Sequence, residues 1–237
     1  MTTFKLALLL FLLPFLSFGQ VIKQRGEIDQ AKSQEAFLNV FASNSIPKSH
    51  LFGIGVLEKL KGYVMILDGK FLSTSIKDTY LKSDTISNLN LNALVYAQVN
   101  AWKIEEVEAQ IDSLAQFEFI LDDLANKQGI GKDENFVFMT RTHINNIGFN
   151  VIDWTDGQAF EPENPFQSAH KLYETDTDVL LLGFNLRNSR KATNQKSNLN
   201  VYVATESHKP VVVGRLDSIE IKGKLTIYLP QKQTISR

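Results

Sequence analysis

The sequence contains no cysteine, and this one absence removes several chemistries at once. Disulfides, zinc ribbons, iron–sulfur clusters and thiol nucleophiles are all excluded. Histidine is scarce, so only His50, His143, His170 and His208 remain as soft metal ligands. An excess of charge of one sign is also missing: 25 basic residues stand against 26 acidic ones in a chain of 237. No Lys/Arg block is long enough to follow a phosphate backbone, so a nucleic-acid partner has no electrostatic footprint here. What is present is apolar material. With 43% hydrophobic and 22% charged residues, the chain can bury a sizeable core as one compact unit or two small domains.

After Lys5, residues 6–18 carry no charge, and the small residues Ser17 and Gly19 precede Gln20. A basic start, an apolar run of about 13 residues and small residues at the cut describe a secretory leader. A membrane span needs about 20 apolar residues. The expectation is cleavage after Gly19 and export to the periplasm or the cell exterior, with no stable membrane span once the leader is gone. The alternative is an uncleaved anchor, because Gln20, Val21 and Ile22 extend the run. No cysteine follows it, which excludes lipoprotein attachment.

Ile28, Ala31, Ala36, Phe37, Val40 and Phe41 recur near a 3.6-residue period and predict an amphipathic helix over 28–42, ended by the stretch with Pro47. Strands of a first sheet are expected over 51–57, 63–67, 70–74, 93–102 and 104–111. The pair Asp68-Gly69 between two β-prone runs predicts a tight hairpin, since a type I′ turn needs positive φ at both central residues. Ser113 followed three residues later by Gln116 is a capping box. Behind it Leu114, Phe117, Ile120, Leu121 and Leu124 form one apolar stripe for the core, and Gly129 stops the helix. Residues 129–134, two glycines and three charges, are the expected junction between halves. Beyond them every segment reads as strand: 136–142, 147–154, 178–186, 198–205, 211–221 and 224–229. The fold class expected is α+β, with two mixed or mostly antiparallel sheets and a few helices. The chain divides into a leader at 1–19, an α+β half at 20–130 and a β-rich half at 131–237.

Local motifs declare no active site. Gly53-Ile-Gly55 and Gly129-Ile-Gly131 lack the third glycine and the strand–loop–helix context of a phosphate loop. There is no nucleophile elbow, and Ser87, Ser168 and Ser207 have no feature that marks a nucleophile. His208 is adjacent to Ser207 in a surface turn. The acidic residues Asp122, Asp123, Asp133, Glu134, Asp176 and Asp178 are spaced as solvated faces. The four histidines are far apart along the chain, and no two share a strand face or a helical turn, which weakens a zinc site without excluding one.

The order of segments resembles the acetolactate decarboxylase family. The stretch LFGIGVLEKLKGYVMILDGK at 51–70 is similar to the family's FGIGTFxxLDGExIxLDGK. Residues 93–102 resemble its TPFAVVTFF strand and 136–141 its LFYAIR strand. Residues 148–152 fall at its GTFSxV segment, 178–184 at GTLVGF, 198–202 at HLHF and 214–217 near GGHVLDF. The resemblance runs from about residue 28 to 221. It implies the family fold, the conversion of 2-acetolactate to acetoin and carbon dioxide, and a zinc ion held by a His-x-His pair plus a third histidine.

The departures fall on that chemistry. The pair is here Asn198 and Asn200, and the third ligand falls among residues 211–214, which hold no histidine. The glutamate of the family's LDGE is Tyr63, and its arginine falls near Thr155. An asparagine oxygen suits a hard cation as one ligand of several and does not replace imidazole on zinc. Without metal, acid and arginine, charge developing on an enediolate has neither a Lewis acid nor a proton donor. The implied reading is an exported family member that is catalytically degenerate, with no cofactor, and with Tyr63, Thr155, Asn198 and Asn200 lining the old cleft. Its partner would be a small oxo-acid or a protein. Two alternatives stand beside it: an active zinc-dependent decarboxylase or related lyase with a relocated metal site, and a structural protein whose cleft is filled by Tyr63 and its neighbours.

Overall fold

The computed structural model describes residues 21–26, 40–78, 80–85, 88–154, 169–187 and 197–231. The leader at 1–19, nearly all of the helix expected over 28–42, and Ser87, Thr155 and Ser168 lie outside these residues. Within the overlap, residues 41–42 are not helical and pair as a short strand.

Two antiparallel sheets build the molecule. The first contains β1 (Lys23–Arg25), β2 (Phe41–Ala42), β3 (Leu51–Leu57), β4 (Tyr63–Leu67), β5 (Lys70–Lys77), β6 (Tyr80–Thr85) and β7 (Asn90–Gln98). Its order is β1-β7-β3-β4-β5-β6, with β2 also on β7. The second contains β8 (Trp102–Ile111), β9 (Phe136–Ile152), β10 (Ala169–Asn185), β11 (Leu199–Thr205) and β12 (Val212–Pro230), in the order β11-β10-β9-β12-β8. Because β11 also pairs with β12, the second sheet curls until β11, β10, β9 and β12 close on themselves. The α+β class with mainly antiparallel sheets is therefore observed.

Local chemistry explains the tight features. Asp68 and Gly69 both have positive φ (47° and 76°), and Leu67 pairs with Lys70 across them, as the primed two-residue turn requires. Helix α1 (Leu114–Lys127) starts at Ser113, whose Oγ accepts the Gln116 N–H at 3.3 Å. The Gln116 side chain reaches back one residue further than a standard capping box, accepting the Asp112 N–H at 2.6 Å.

Three expectations need correction. Strand β8, expected in the first sheet, pairs with β12 in the second, from Trp102 opposite Pro230 to Ile111 opposite Ile221. The separate strands expected at 136–142 and 147–154 are one strand, β9, and those at 211–221 and 224–229 are one strand, β12. The apolar pattern lapses over His143 to Asn146, where Ile144 alone is apolar, yet the strand stays paired with Thr175, Thr177 and Asp178 of β10 and, at Asn146, with Glu220 of β12. Ladder hydrogen bonds come from the backbone, so a strand continues through polar, partly exposed positions where its hydrophobic alternation breaks.

Alternation along β4 shows how the layers stack. Tyr63 and Met65 join Phe52, Ile54, Leu180, Phe184 and Tyr202 in the core between the sheets. Val64 and Ile66 face the other way, with Leu51, Phe71 and Leu94. Helix α1 buries Phe117, Leu121 and Ala125 against the second sheet's other face, where Phe117 meets Phe138 edge-on at 5.6 Å. No helix among the described residues is long and apolar enough to cross a membrane.

Candidate functional site

The polar residues between the sheets gather around Tyr63. Its side chain is fully buried, and its hydroxyl donates to Asn150 Oδ1 at 3.1 Å. Asn150, also buried, passes the chain outward by donating from Nδ2 to Asp217 Oδ1 at 2.7 Å. The Tyr63 ring stands edge-on to Tyr202, with centroids 4.8 Å apart. Register explains the grouping. Arg215 of β12 lies opposite Tyr202 of β11 on one side and Asn150 of β9 on the other, so the three share one face of the second sheet beneath Tyr63. Burial pushes the Tyr63 phenol well above its ordinary pKa, Tyr202 and Asp217 add to the shift, and the Arg215 charge opposes it. A phenol in this state stays neutral at physiological pH and is a poor proton donor in catalysis.

Further ties fix the sheets against each other beside this cluster. Thr74 Oγ1, on the strand next to Tyr63, accepts the Val213 N–H at 2.8 Å and shares a hydrogen bond with Ser83 Oγ. In the turn before β4, Lys61 pairs with Asp153 at 2.9 Å, the Leu60 carbonyl accepts the Trp154 N–H, and the Leu60 N–H donates to Asn92 Oδ1. The two sheets are thus joined by hydrogen bonds as well as by apolar packing.

The two asparagines do not converge. Asn198 precedes β11, and its Nδ2 donates to Glu118 Oε1 at 2.8 Å; its backbone N–H donates to the same carboxylate, as does Ser197 Oγ at 2.7 Å. Glu118 is only 6% exposed. Asn200 lies within β11 opposite Phe184, two residues from Tyr202 and on the same face. Tyr63 and Asn200 therefore face the inter-sheet side, Asn198 is committed to α1, and Thr155 is outside the described residues.

These positions do not fit zinc. The amide of Asn198 points hydrogens at a carboxylate, the reverse of the lone pairs a metal needs. At Gly214, in the stretch expected to hold the third ligand, an added Cβ would lie 2.4 Å from a Phe149 ring carbon and 2.8 Å from the Asn150 carbonyl oxygen. The histidines gather at no common point. His50 lies 3.6 Å from Asp68, His208 is 2.7 Å from Glu174, and His143 sits between Asp176 and Asp178 at 2.9 Å from each. His170 is exposed at the start of β10. Among the described residues, no three His, Asp or Glu side chains form a group that could hold a metal ion.

Sequence reasoning missed Asn150, Tyr202, Arg215, Asp217 and Glu118. Glu118 had a signal: it falls on the same helical face as Phe117, Leu121 and Ala125, a charge inside an apolar stripe. Asn150, between Phe149 and Val151, is likewise a polar residue within an apolar strand.

An α+β molecule of two packed antiparallel sheets, one curled on itself and capped by a helix, is a fold with solved counterparts. The α-acetolactate decarboxylase of Bacillus subtilis strain 168 matches with a TM-score of 0.64 at 13% identity, over 80% of this chain and 77% of that one. That of Bacillus subtilis subspecies spizizenii gives 0.62 at 14%, over 80% and 78%. A Staphylococcus aureus protein of unknown function, similar to α-acetolactate decarboxylase, gives 0.66 at 12%, over 88% and 85%. By sequence, neither a family model nor a curated protein matches. The chain has the α-acetolactate decarboxylase fold.

Proposed function

We propose that this chain is an exported, catalytically silent relative of acetolactate decarboxylase that serves as a binding or structural protein and needs no zinc. The observation that carries the reading is the burial of Tyr63: at the position of the family's acid, a neutral phenol is enclosed between the sheets and hydrogen-bonded to Asn150. Support comes also from Asn198, whose amide serves Glu118. The aromatic contact of Tyr63 with Tyr202 favours the structural form of the proposal, because these rings occupy space between the sheets. Binding of a small oxo-acid or a protein partner then falls to the surface beside this cluster, where Asp217 is exposed.

The test uses the chain purified from residue 20 onward, incubated with 2-acetolactate with and without added zinc. The expected outcome is carbon dioxide release at the uncatalysed rate and no tight zinc uptake by isothermal titration. Stoichiometric zinc binding together with accelerated release would overturn the reading. A relocated metal site would reveal itself through loss of metal in one of the variants His50→Ala, His143→Ala, His170→Ala or His208→Ala.

A further inference from the structure

The interior of the curled second sheet is filled unequally along its length. Residues directly opposite in an antiparallel ladder project from the same face, so the register defines successive rows. Gly183 lies opposite Phe138 and Val201, and Leu181 opposite Thr140 and Val203. Val179 lies opposite Thr142 and Thr205, and Thr205 in turn faces Val212. Thr177 lies opposite Ile144. Phe138, Leu181, Val179, Val203, Val212 and Ile144 all belong to the core beneath α1, so these rows point inward. The rows nearest α1 carry phenylalanine, and those at the far end carry four threonines.

All four threonines are buried. Thr142 uses its hydroxyl on the carbonyls of His143 and Lys224, at 3.1 and 3.2 Å. Among the described residues, the hydroxyls of Thr140, Thr177 and Thr205 find no protein partner, and they are shut off from solvent. Strand preference does not account for them, since valine has the same shape and β-branching and is far easier to bury. Buried polar atoms are normally satisfied, by protein or by ordered water. Thr177 and Thr205 are diagonal neighbours across the β10–β11 ladder, and Thr140 enters the same interior from β9. Water is the smallest occupant that both donates and accepts, and buried water typically makes about three hydrogen bonds to such groups. We propose that the threonine end of the curled sheet is an internal hydration site, with ordered water held by the hydroxyls of Thr140, Thr177 and Thr205.

The test replaces each by valine, singly and together, and reads both thermal unfolding and long-lived internal water by oxygen-17 relaxation dispersion of the solvent. If water is bound, each single variant loses part of the long-lived water signal and its Tm falls by about 2–4 °C, the shift expected when one ordinary hydrogen bond is lost from a chain of this size. If the interior is dry, removing an unsatisfied hydroxyl leaves Tm unchanged or raises it, and the water signal of the variants equals that of the parent; this result overturns the proposal. Should the triple variant fail to fold, the three single variants decide the question alone.

Discussion

At Tyr63 one hydroxyl joins the two sheets, and its loss can be separated from loss of the ring. Tyr63→Phe keeps the contact with Tyr202 but leaves Asn150 Oδ1 buried without its donor. The expected destabilisation is about 1–3 kcal/mol, measured by urea unfolding. His143 offers a second residue-scale prediction, and its sign follows from geometry. Both ring nitrogens face carboxylates, Asp176 on one side and Asp178 on the other, and only the imidazolium can donate to both. Those two hydrogen bonds, Asp176 first, raise its pKa above the ordinary value of 6.5. A raised folded pKa contributes stability that is complete below the unfolded value and lost as pH rises through the folded one. Parent protein is therefore expected to lose stability relative to His143→Ala from about pH 6.5 upward, and a constant difference between the two unfolding curves up to pH 9 would contradict this.

Among the elements, α1 does more than cover the core. Through Glu118 it holds Ser197 and Asn198 at the start of β11, and through Asp122 it holds Asn185 and Arg187 at the end of β10. One turn of helix separates the two carboxylates, so α1 secures both strand ends that flank the 188–196 connection. Glu118→Ala is expected to speed amide hydrogen exchange at Asn198 and Leu199 while that at the centre of β11, near Val203, changes little. The hairpin at Asp68-Gly69 and the cap at Ser113 were legible in the sequence because their physics lies within a few residues. The sheet membership of β8 was not, because its partner β12 lies more than a hundred residues away and the alternation of β8 fits either sheet. Arg215 was equally hidden: it is an ordinary polar residue until the register of β9, β11 and β12 sets it in one row with Asn150 and Tyr202.

For the whole molecule, the two sheets are held together by contacts among their own side chains and backbone. Apolar packing between the sheets, the Tyr63–Asn150–Asp217 chain and the Thr74–Val213 tie carry this load. The midpoint of thermal unfolding is accordingly expected to be the same in excess chelator and in excess zinc. A ligand that bound only the native state would raise it by several degrees at saturating concentration. The resemblance drawn from the sequence anticipated the fold because hydrophobic spacing survives when individual side chains change. The partners of Asn198 and Tyr63 were not legible, since they come from α1 and β9, distant in sequence. The path of β12 has a temporal side as well. It pairs in turn with β11, β9 and β8, and it is the last strand described. During synthesis, β8 must therefore wait for its partner until the chain has passed residue 221, and the curled sheet cannot close before residue 212 has emerged. Closure of the second sheet therefore waits for β12, whereas the β3–β4–β5 hairpins of the first can form early from neighbours alone.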